Sequence, residues 1–426
     1  MKTKLALVCG TVFTLLALAA CGGPEPSMKE GDNKPKIKDP DPVTLKLFPY
    51  NPMSESDFNK LIAEPVKKKY PYITVEMLAK NATQFESTIA AKEDMDLILM
   101  WNGNINGNKQ YGIFEDMTPY ARKAGFDFGR FDPKAMETIK ELSDKGEIYG
   151  VPYQIQFYAL YYNKDLFDKF GVPYPKDGMT WEDTVEITRK MSRMQDGVQY
   201  SGFDMDSLSR LTYPLSLVPV DGKTNKVLVN SDAYKKAFDL GKQLYSSPDN
   251  PGKISTGRFT KEKTLAMVGT VNMFDQLEKT PDLNWDLVQY PSYKELPNTY
   301  GMYDLNVVML TSTSKHKEDA MKVVEVFLSD EVQSLSSSMG KLSALSNPEI
   351  RKTFGSGLPM LKGKNLQGIF KSSPAYAPPF SMYHSKGNEI LKKTFLDYIA
   401  DKKDVNTALR EAEEELTRYI QSQGTK

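Results

Sequence analysis

Alternating apolar and polar residues predict the first elements of the chain. Residues 43–47 and 73–77 alternate with a period of two, which is typical of a strand with one buried face. Residues 96–101 are apolar on both faces, and segments with helical spacing lie between the strands. Continuously apolar strands between helices are typical of a parallel sheet that helices cover on both sides. The fold class is therefore predicted to be α/β, with two sheets.

Helices are predicted where apolar residues recur at intervals of three and four. Residues 58–66 have this spacing, although Pro65 predicts a kink or an early end, because proline lacks the N–H that a helix interior needs. Thr180-Trp-Glu-Asp183 has the Ser/Thr-x-x-acid form of a helix N-terminus. Amphipathic spacing recurs in residues 320–328, 391–398 and 409–419. Strands and helices are therefore expected to alternate along the chain.

Four aromatic or amide residues stand where predicted strands end. Tyr50 and Asn51 come after the first strand, and Trp101 and Asn102 come where the third strand passes into a polar loop. In parallel sheets, ligands bind beyond the carboxyl ends of the strands. A ring can cover the apolar C–H face of a sugar, and amides can hydrogen-bond its hydroxyls. We predict that these four residues bind a solute, Trp101 by stacking.

Composition narrows the range of functions. Hydrophobic residues make up 40% of the 426 residues, as in a globular protein, and 55 basic residues balance 55 acidic ones. This balance leaves no basic field for a phosphate backbone, so no nucleic-acid partner is predicted. Two Cys and two His are too few for a Cys/His zinc site or a disulfide framework. We predict neither a metal nor a cofactor.

The first 20 residues have the features of a secretory signal peptide. Two lysines precede an apolar run, residues 5–20, which is too short for a comfortable membrane span. The run ends in Leu-Ala-Ala-Cys-Gly, residues 18–22, which resembles the lipobox of bacterial lipoproteins. We predict that Cys21 takes the lipid, because it stands directly after two small residues. Cleavage after Ala20 as an ordinary secretory signal is the alternative.

Residues 21–42 are predicted to be a lipidated cysteine followed by a flexible tether. The segment after Cys21 carries five prolines and only two clearly apolar side chains, too few to offset the entropy of ordering it. One acyl chain holds a protein to a membrane only marginally, so two or more chains are expected on Cys21. The predicted location is extracytoplasmic, with the folded part lipid-anchored to the cell membrane.

Enzyme signatures are weak in this sequence. Ser312-Thr-Ser-Lys315 and Ser338-Met-Gly-Lys341 match the S-x-x-K spacing of acyl-transfer enzymes, but no K-T-G partner accompanies either copy. Both segments are interpreted as surface turns. A lipoprotein serine hydrolase that uses Ser312 or Ser338 is kept as the alternative function.

Five blocks, in the expected order along the chain, carry a resemblance to a known family. They are residues 112–120 (GIFEDMTPY), 148–165 (IYGVPYQIQFYALYYNKD), 166–173 (LFDKFGVP), 180–183 (TWED) and 314–320 (SKHKEDA). Together they resemble the extracellular solute-binding proteins of bacterial ABC importers, of the carbohydrate type that includes the maltose-binding protein group. The resemblance covers nearly the whole chain after the predicted signal.

The resemblance implies a two-lobed fold, with two sheets joined by hinge crossings, that closes on a small-molecule solute. It also implies a monomer that is not an enzyme and that delivers a carbohydrate to the transmembrane subunits of an ABC permease. The carbohydrate is expected to be an oligosaccharide. The lobe boundaries that we predict are residues 43–154 plus 305–345 for lobe 1, and residues 155–304 plus 346–426 for lobe 2.

Site residues follow from the same resemblance. Gln156 lies on the hinge strand where the maltose-binding group has a sugar-binding acid, and Tyr303 and Asp304 lie near the return crossing. Trp101 and Asn102 fall on the loop where this family contacts its solute. Tyr158, in contrast, is predicted to pack in the hinge rather than to bind.

The sequence departs from the maltose-binding group in the second lobe. Asn272 and Asn388 stand where that group has stacking aromatics, and Phe274, Tyr383 and His384 are neighbours that could replace them. Asn272 is therefore predicted to bind through its amide. These changes speak against a maltodextrin and leave another oligosaccharide or a peptide as the solute.

Overall fold

The computed structural model describes residues 40–426, apart from residues 144, 247–249, 251–252 and 425–426. The predicted signal peptide, Cys21 and nearly all of the predicted tether lie outside the described residues. In the described part, every helix is too short or too polar to cross a membrane.

Strands recur throughout the chain. They are β1 (Val43–Pro49), β2 (Ile73–Met77), β3 (Leu97–Trp101), β4 (Val151–Ile155), β5 (Tyr158–Asn163), β6 (Arg193–Gln195), β7 (Val198–Met205), β8 (Leu265–Val271), β9 (Trp285–Gln289), β10 (Thr299–Met302), β11 (Leu305–Leu310) and β12 (Ser373–Ala375). The predictions for β1, β2 and β3 are confirmed.

Helices connect the strands and cover the sheets. They are α1 (Glu55–Phe58), α2 (Glu64–Lys69), α3 (Phe85–Ala90), α4 (Asn102–Asn108), α5 (Thr118–Ala124), α6 (Pro133–Lys140), α7 (Lys164–Phe170), α8 (Trp181–Met191), α9 (Ser209–Thr212), α10 (Asp232–Tyr245), α11 (Gly257–Thr260), α12 (Phe274–Glu278), α13 (Lys317–Phe327), α14 (Asp330–Ser338), α15 (Pro348–Lys352), α16 (His384–Ile399) and α17 (Val405–Gly424). Thr180 caps α8 as predicted, since its hydroxyl accepts a hydrogen bond from the Asp183 N–H.

Two local predictions differ from the structure. The early end predicted at Pro65 is wrong, because a π-helical turn at residues 59–63 interrupts the regular helix just before Pro65 and places the proline in the first turn of α2. The residues after Trp101 form helix α4 rather than a loop. Their polar composition concealed a short helix that begins directly at the end of β3.

The first sheet has the strand order β2-β1-β3-β11-β4. Strand β1 runs parallel to β2 and β3, whereas β11 is antiparallel to both β3 and β4. The sequence predicts a parallel sheet, but the first sheet is mixed. The reason is connectivity: β4 leaves the sheet at Ile155, and β11 enters at Leu305, which pairs with Ile155 at the same edge.

The second sheet has the strand order β6-β7-β8-β5-β9. Strands β7 and β8 are parallel, and β5 starts at Tyr158, which pairs with Val271 at the carboxyl end of β8. The segment that joins the sheets, residues 156–157, therefore links the carboxyl-end edges of both. Residues 303–304 return to the first sheet at the same edge. We call residues 156–157 and 303–304 the crossing segments.

Each sheet has its own hydrophobic core. Leu47, Leu99 and Val308 are fully buried in the first, and Phe203 and Met267 are fully buried in the second. Two separate cores joined by narrow crossings define a two-lobed α/β protein, as predicted.

Candidate functional site

The candidate site lies where the parallel strands of both sheets end, beside the crossing segments. Trp101 ends β3, Asp206 follows β7, and Asp304 lies in the return crossing. The N–H of Gln156 donates a hydrogen bond to the backbone oxygen of Asp304 at 2.9 Å and ties the two crossings together. The site therefore draws its side chains from both lobes and from the segments between them.

A buried ion pair is the electrostatic centre of the site. Arg210, which is 7% exposed, donates two hydrogen bonds to Asp206, at 2.7 Å from Nε and 2.8 Å from Nη2. The Thr270 hydroxyl donates a third to the same carboxylate at 2.6 Å. Burial raises the pKa of Asp206, but attraction to Arg210 and these hydrogen bonds outweigh it, so the pKa lies below its usual range. The guanidinium also lies over the Tyr158 ring, 4.5 Å from its centroid.

Asp304 is the second carboxylate of the site and is half-buried. Among the described residues it takes part in no salt bridge. Burial raises the pKa of Asp304 to about 6, although Arg210 and the Trp101 indole both lower it. The Asp304 carboxylate is therefore mostly ionised at neutral pH, and its negative charge is only weakly compensated by nearby positive charge.

This raised pKa predicts how Asp304→Asn changes stability. A carboxyl whose pKa is higher in the folded state favours folding when protonated, so its effect becomes unfavourable as the pH rises from about 4 to 6. We expect Asp304→Asn to increase the free energy of unfolding by about 2 kcal/mol at pH 7.5 and by much less at pH 4. Urea denaturation at both pH values measures this difference. Asp196→Asn, in the exposed turn between β6 and β7, is the matched control, and an equal effect of both variants would contradict the prediction.

The Trp101 ring is half-buried and packs against α4 and two other rings. A Cβ on Gly103 would lie 2.3 Å from the indole, so the ring packs directly on the backbone of α4. The Phe380 ring lies 5.2 Å away between centroids, and the His384 ring lies 5.9 Å away. A pyranose that stacks on the part of the Trp101 ring that Phe380 contacts has to displace Phe380. The stacking role remains a prediction.

His384 is buried beside Trp101 and is neutral. Its Nε2 lies 2.8 Å from the Tyr213 hydroxyl and 2.8 Å from Asn388 Nδ2. Because an amide nitrogen can only donate, Nε2 accepts, and the ring proton is on Nδ1. Within the described part of the chain this Nδ1 is buried without a hydrogen-bond partner. Burial lowers the pKa of His384 to about 3.

A row of amides lies along the edge of the first sheet. Asn51 Nδ2 donates to Asn306 Oδ1 at 2.6 Å, and Asn306 Nδ2 lies 3.5 Å from Gln154 Oε1. These amides stand at the carboxyl ends of β1 and β4 and at the start of β11. Amides at this edge can hydrogen-bond solute hydroxyls, which is the role predicted for Asn51.

Other predicted site residues have structural contacts. Asn102 is 1% exposed; its amide donates to the Tyr303 carbonyl and accepts from the Leu305 N–H, both at 3.1 Å, which fixes the return crossing to α4. Asn272 Nδ2 donates to the Gly340 carbonyl at 2.9 Å. Tyr50 packs edge-on against Phe85. These contacts are structural, and the ligand-binding roles of Asn102, Asn272 and Tyr50 stay predictions.

Tyr303 does not join Asp304, because successive residues of an extended segment point to opposite sides. It lines a separate cavity of about 310 Å³ together with Asp132 and Arg351. Burial and the Asp132 carboxylate raise the pKa of its hydroxyl. Of the residues predicted from the sequence, the structure brings Trp101, Gln156 and Asp304 together at one place.

Sequence reasoning missed Asp206, Arg210 and Phe380. The first two could have been found, since Asp206 directly follows a strand and Arg210 stands four residues later on a helical turn. Tyr158 is predicted to pack only, yet it lies at the ion pair, and its hydroxyl is buried with no hydrogen-bond partner among the described residues. Phe380 carries no local signal, because only the folding of a distant segment brings it to Trp101.

The two S-x-x-K serines make no contact that would activate them. The Ser312 hydroxyl donates to the Gly112 carbonyl at 2.8 Å, and the Ser338 hydroxyl donates to the Leu335 carbonyl at 2.7 Å. Lys341 pairs with Asp57 at 2.7 Å instead of with Ser338. Across the described residues, His, Cys, Asp and Glu form no group that could hold a metal ion.

Two lobes joined by crossing strands, with a candidate site between them, are the arrangement expected of a solute-binding protein. Residues 54–347 match the sequence model of the bacterial extracellular solute-binding proteins. The match spans more than half of the chain, and the protein belongs to this family. The predictions of the family and of a binding protein rather than an enzyme are confirmed, and an extracytoplasmic location follows from the family.

Similarity to individual proteins is more distant. Over 260 residues the chain is 25% identical to a binding protein of Brucella abortus strain 2308; the aligned region is 56% of this chain and 59% of that protein. The fold is similar to an ABC substrate-binding protein of Listeria monocytogenes in complex with cycloalternan, with a TM-score of 0.74, 19% identity and coverage of 90% of this chain and 99% of that one. It is also similar to a sugar transporter of Rhizobium etli in an open conformation, with a TM-score of 0.71, 20% identity and coverage of 88% and 99%.

Proposed function

We propose that this protein captures an oligosaccharide between its lobes and delivers it to the transmembrane subunits of an ABC permease. The observation that carries the proposal is the convergence of Trp101, Asp304 and the amide row at the carboxyl-end edge of the sheets. An aromatic ring, hydroxyl acceptors and amides are the groups that saccharides need. The Listeria neighbour, which was solved with cycloalternan, supports a saccharide.

The crossing segments support closure of the lobes as the mechanism. A solute that touches Trp101 on one lobe and Asp206 on the other makes both sets of contacts only when the lobes are close together. It therefore shifts the open–closed equilibrium by its difference in affinity for the two forms. We propose that lobe 1 is formed by residues 43–154 plus 305–345 and lobe 2 by residues 155–304 plus 346–426. The strand assignment supports this division approximately, because the first sheet takes its strands from residues 43–155 and 305–310 and the second from residues 158–289.

We further propose that the protein is a monomeric lipoprotein. Lipid on Cys21 and the tether through residue 42 would hold the folded part near the membrane, within reach of the permease. The sequence around Cys21 is the support for this proposal. Metabolic labelling with a palmitate analogue tests it, since a Cys21→Ser variant should lose the label.

A saccharide panel tests the binding function, and Trp101→Ala tests the site. A ligand at a hundred times its dissociation constant should stabilise the protein by about 2.7 kcal/mol without being consumed. We expect Trp101→Ala to weaken binding of the best saccharide at least tenfold in titration calorimetry, because the ring's apolar contact is lost. Tyr200→Ala removes a half-buried ring at the opposite end of β7 and is the control.

The outcomes separate the alternatives clearly. Unchanged affinity in Trp101→Ala would show that the solute binds elsewhere. Stabilisation by peptides and by none of the saccharides would refute the carbohydrate proposal and favour the peptide alternative.

A further inference from the structure

The positive charge of the site is already paired. Arg210 directs two of its N–H groups at Asp206, in a pair whose side chains are 9% and 32% exposed. Lys341, near the Gly340 carbonyl that bonds Asn272, is paired with Asp57 at 2.7 Å. Each of these two cations therefore has a carboxylate partner before any solute arrives.

Asp304 leaves the site with excess negative charge. Two carboxylates, Asp206 and Asp304, share one guanidinium, and the described residues offer Asp304 no salt bridge of its own. Its strongest neighbours are Arg210, already committed to Asp206, and the neutral Trp101 indole. A solute that enters between the lobes excludes solvent from Asp304, so it has to offer the carboxylate hydrogen bonds of its own.

Two buried polar groups at this place are incompletely satisfied. The Tyr158 hydroxyl is 1% exposed and makes no hydrogen bond of normal geometry with the described residues, although Arg210, Asp304 and Asp206 all interact with it electrostatically. The Trp101 indole N–H is also buried and interacts with the Asp304 carboxylate without reaching normal hydrogen-bond geometry. Buried polar groups are rarely left in this state unless water or a ligand satisfies them.

We propose that the site ranks saccharides by charge, with Asp304 as the residue that sets the order. Resting on the proposed function above, the inference is that amino sugars bind best, neutral sugars bind next, and sugars that carry a carboxylate or phosphate are rejected. Asp304 attracts an ammonium group, accepts a hydrogen bond from a hydroxyl, and repels an anion, which Arg210 and Lys341 cannot compensate because each is already paired with a carboxylate.

Titration calorimetry on the full chain tests this order. The best neutral saccharide of the panel is compared with its amino-sugar and uronic-acid analogues, which are substituted at one position at a time. We expect the best amino analogue to bind at least as tightly as the neutral sugar, and every uronic analogue to bind at least tenfold more weakly. In Asp304→Asn, the ratio between the amino and uronic analogues should shrink at least tenfold. Asp196→Asn, which changes the net charge equally at the far end of β7, should leave this ratio unchanged.

The results distinguish this inference from the proposed function. A uronic analogue that binds as tightly as the neutral sugar, or a ratio that Asp304→Asn does not change, overturns the charge order while the saccharide function stands. Binding of no saccharide of any charge overturns both. Loss of all binding in Asp304→Asn, with circular dichroism and thermal stability intact, would assign Asp304 to general affinity and overturn its role in discrimination.

Discussion

Arg210→Leu is expected to destabilise the protein by about 3 kcal/mol and to abolish solute binding. The substitution removes the guanidinium that Asp206 binds through two hydrogen bonds, and it leaves that carboxylate beside Asp304 with no compensating charge. It also removes the cation that lies over the Tyr158 ring. Urea denaturation measures the loss of stability, and titration with the best saccharide measures the loss of binding.

Two further variants make the Arg210 prediction specific. Arg410→Leu removes an arginine from an exposed pair with Glu414, so it should cost less than about 1 kcal/mol. Adding Asp206→Asn to Arg210→Leu should recover part of the stability, because the orphaned charge disappears, but should not restore binding. Equal costs for the two arginine variants would show that the buried pair does not organise the site.

The second large effect that we expect is a loss of folding stability in acid, caused by the buried His384. Burial lowers the pKa of His384 to about 3. Below pH 6.5 this imidazole therefore binds a proton in the unfolded chain but remains neutral in the folded protein. The sign is fixed: stability is fully present above pH 6.5 and is lost as the pH falls toward 3. Between pH 7 and pH 4.5 the loss should be about 2–3 kcal/mol.

His384→Gln should remove most of this pH dependence. A glutamine oxygen can accept the hydrogen bonds of Tyr213 and Asn388 but cannot take up a proton in this range. The only other histidine of the chain, His316, is exposed, and His316→Gln is the matched control. Asp304 acts in the opposite direction over part of this range, so the variants must be compared in pairs at each pH. If wild type and His384→Gln lose stability equally in acid, His384 is not the group that titrates.

The contacts of Trp101 affect how a solute can enter. The Phe380 and His384 rings pack against the indole, so a sugar that stacks on the surface they contact has to move this segment away from α4. The hydrogen bond from Asn106 to the Phe380 carbonyl at 2.6 Å holds the segment against the first lobe. The cost of breaking these contacts lowers the affinity of the site as a whole.

The sequence by itself determined the strands, the main helices and the family. Residues 43–47 and 73–77 are strands, as their alternating pattern predicts, and residues 97–101 are a strand, as their continuous apolar run predicts, because both patterns are local properties that folding preserves. The cap at Thr180 is likewise local, since its partners lie within three residues. The same locality misled at Pro65 and after Trp101, where short helices form inside polar or proline-containing stretches.

Only the tertiary structure decided which side chains meet. Trp101 and Asp304 are about two hundred positions apart in the chain, and Phe380 is farther still, so no spacing rule links them. Tyr303 and Asp304 are adjacent, yet one lines a separate cavity and the other faces Arg210, because an extended crossing turns alternate residues to opposite sides. Sequence patterns show which face of an element is buried. The contacts between elements, including those that bring Asp304 to Arg210, depend on how distant parts of the chain pack, and this packing sets the charge of the site.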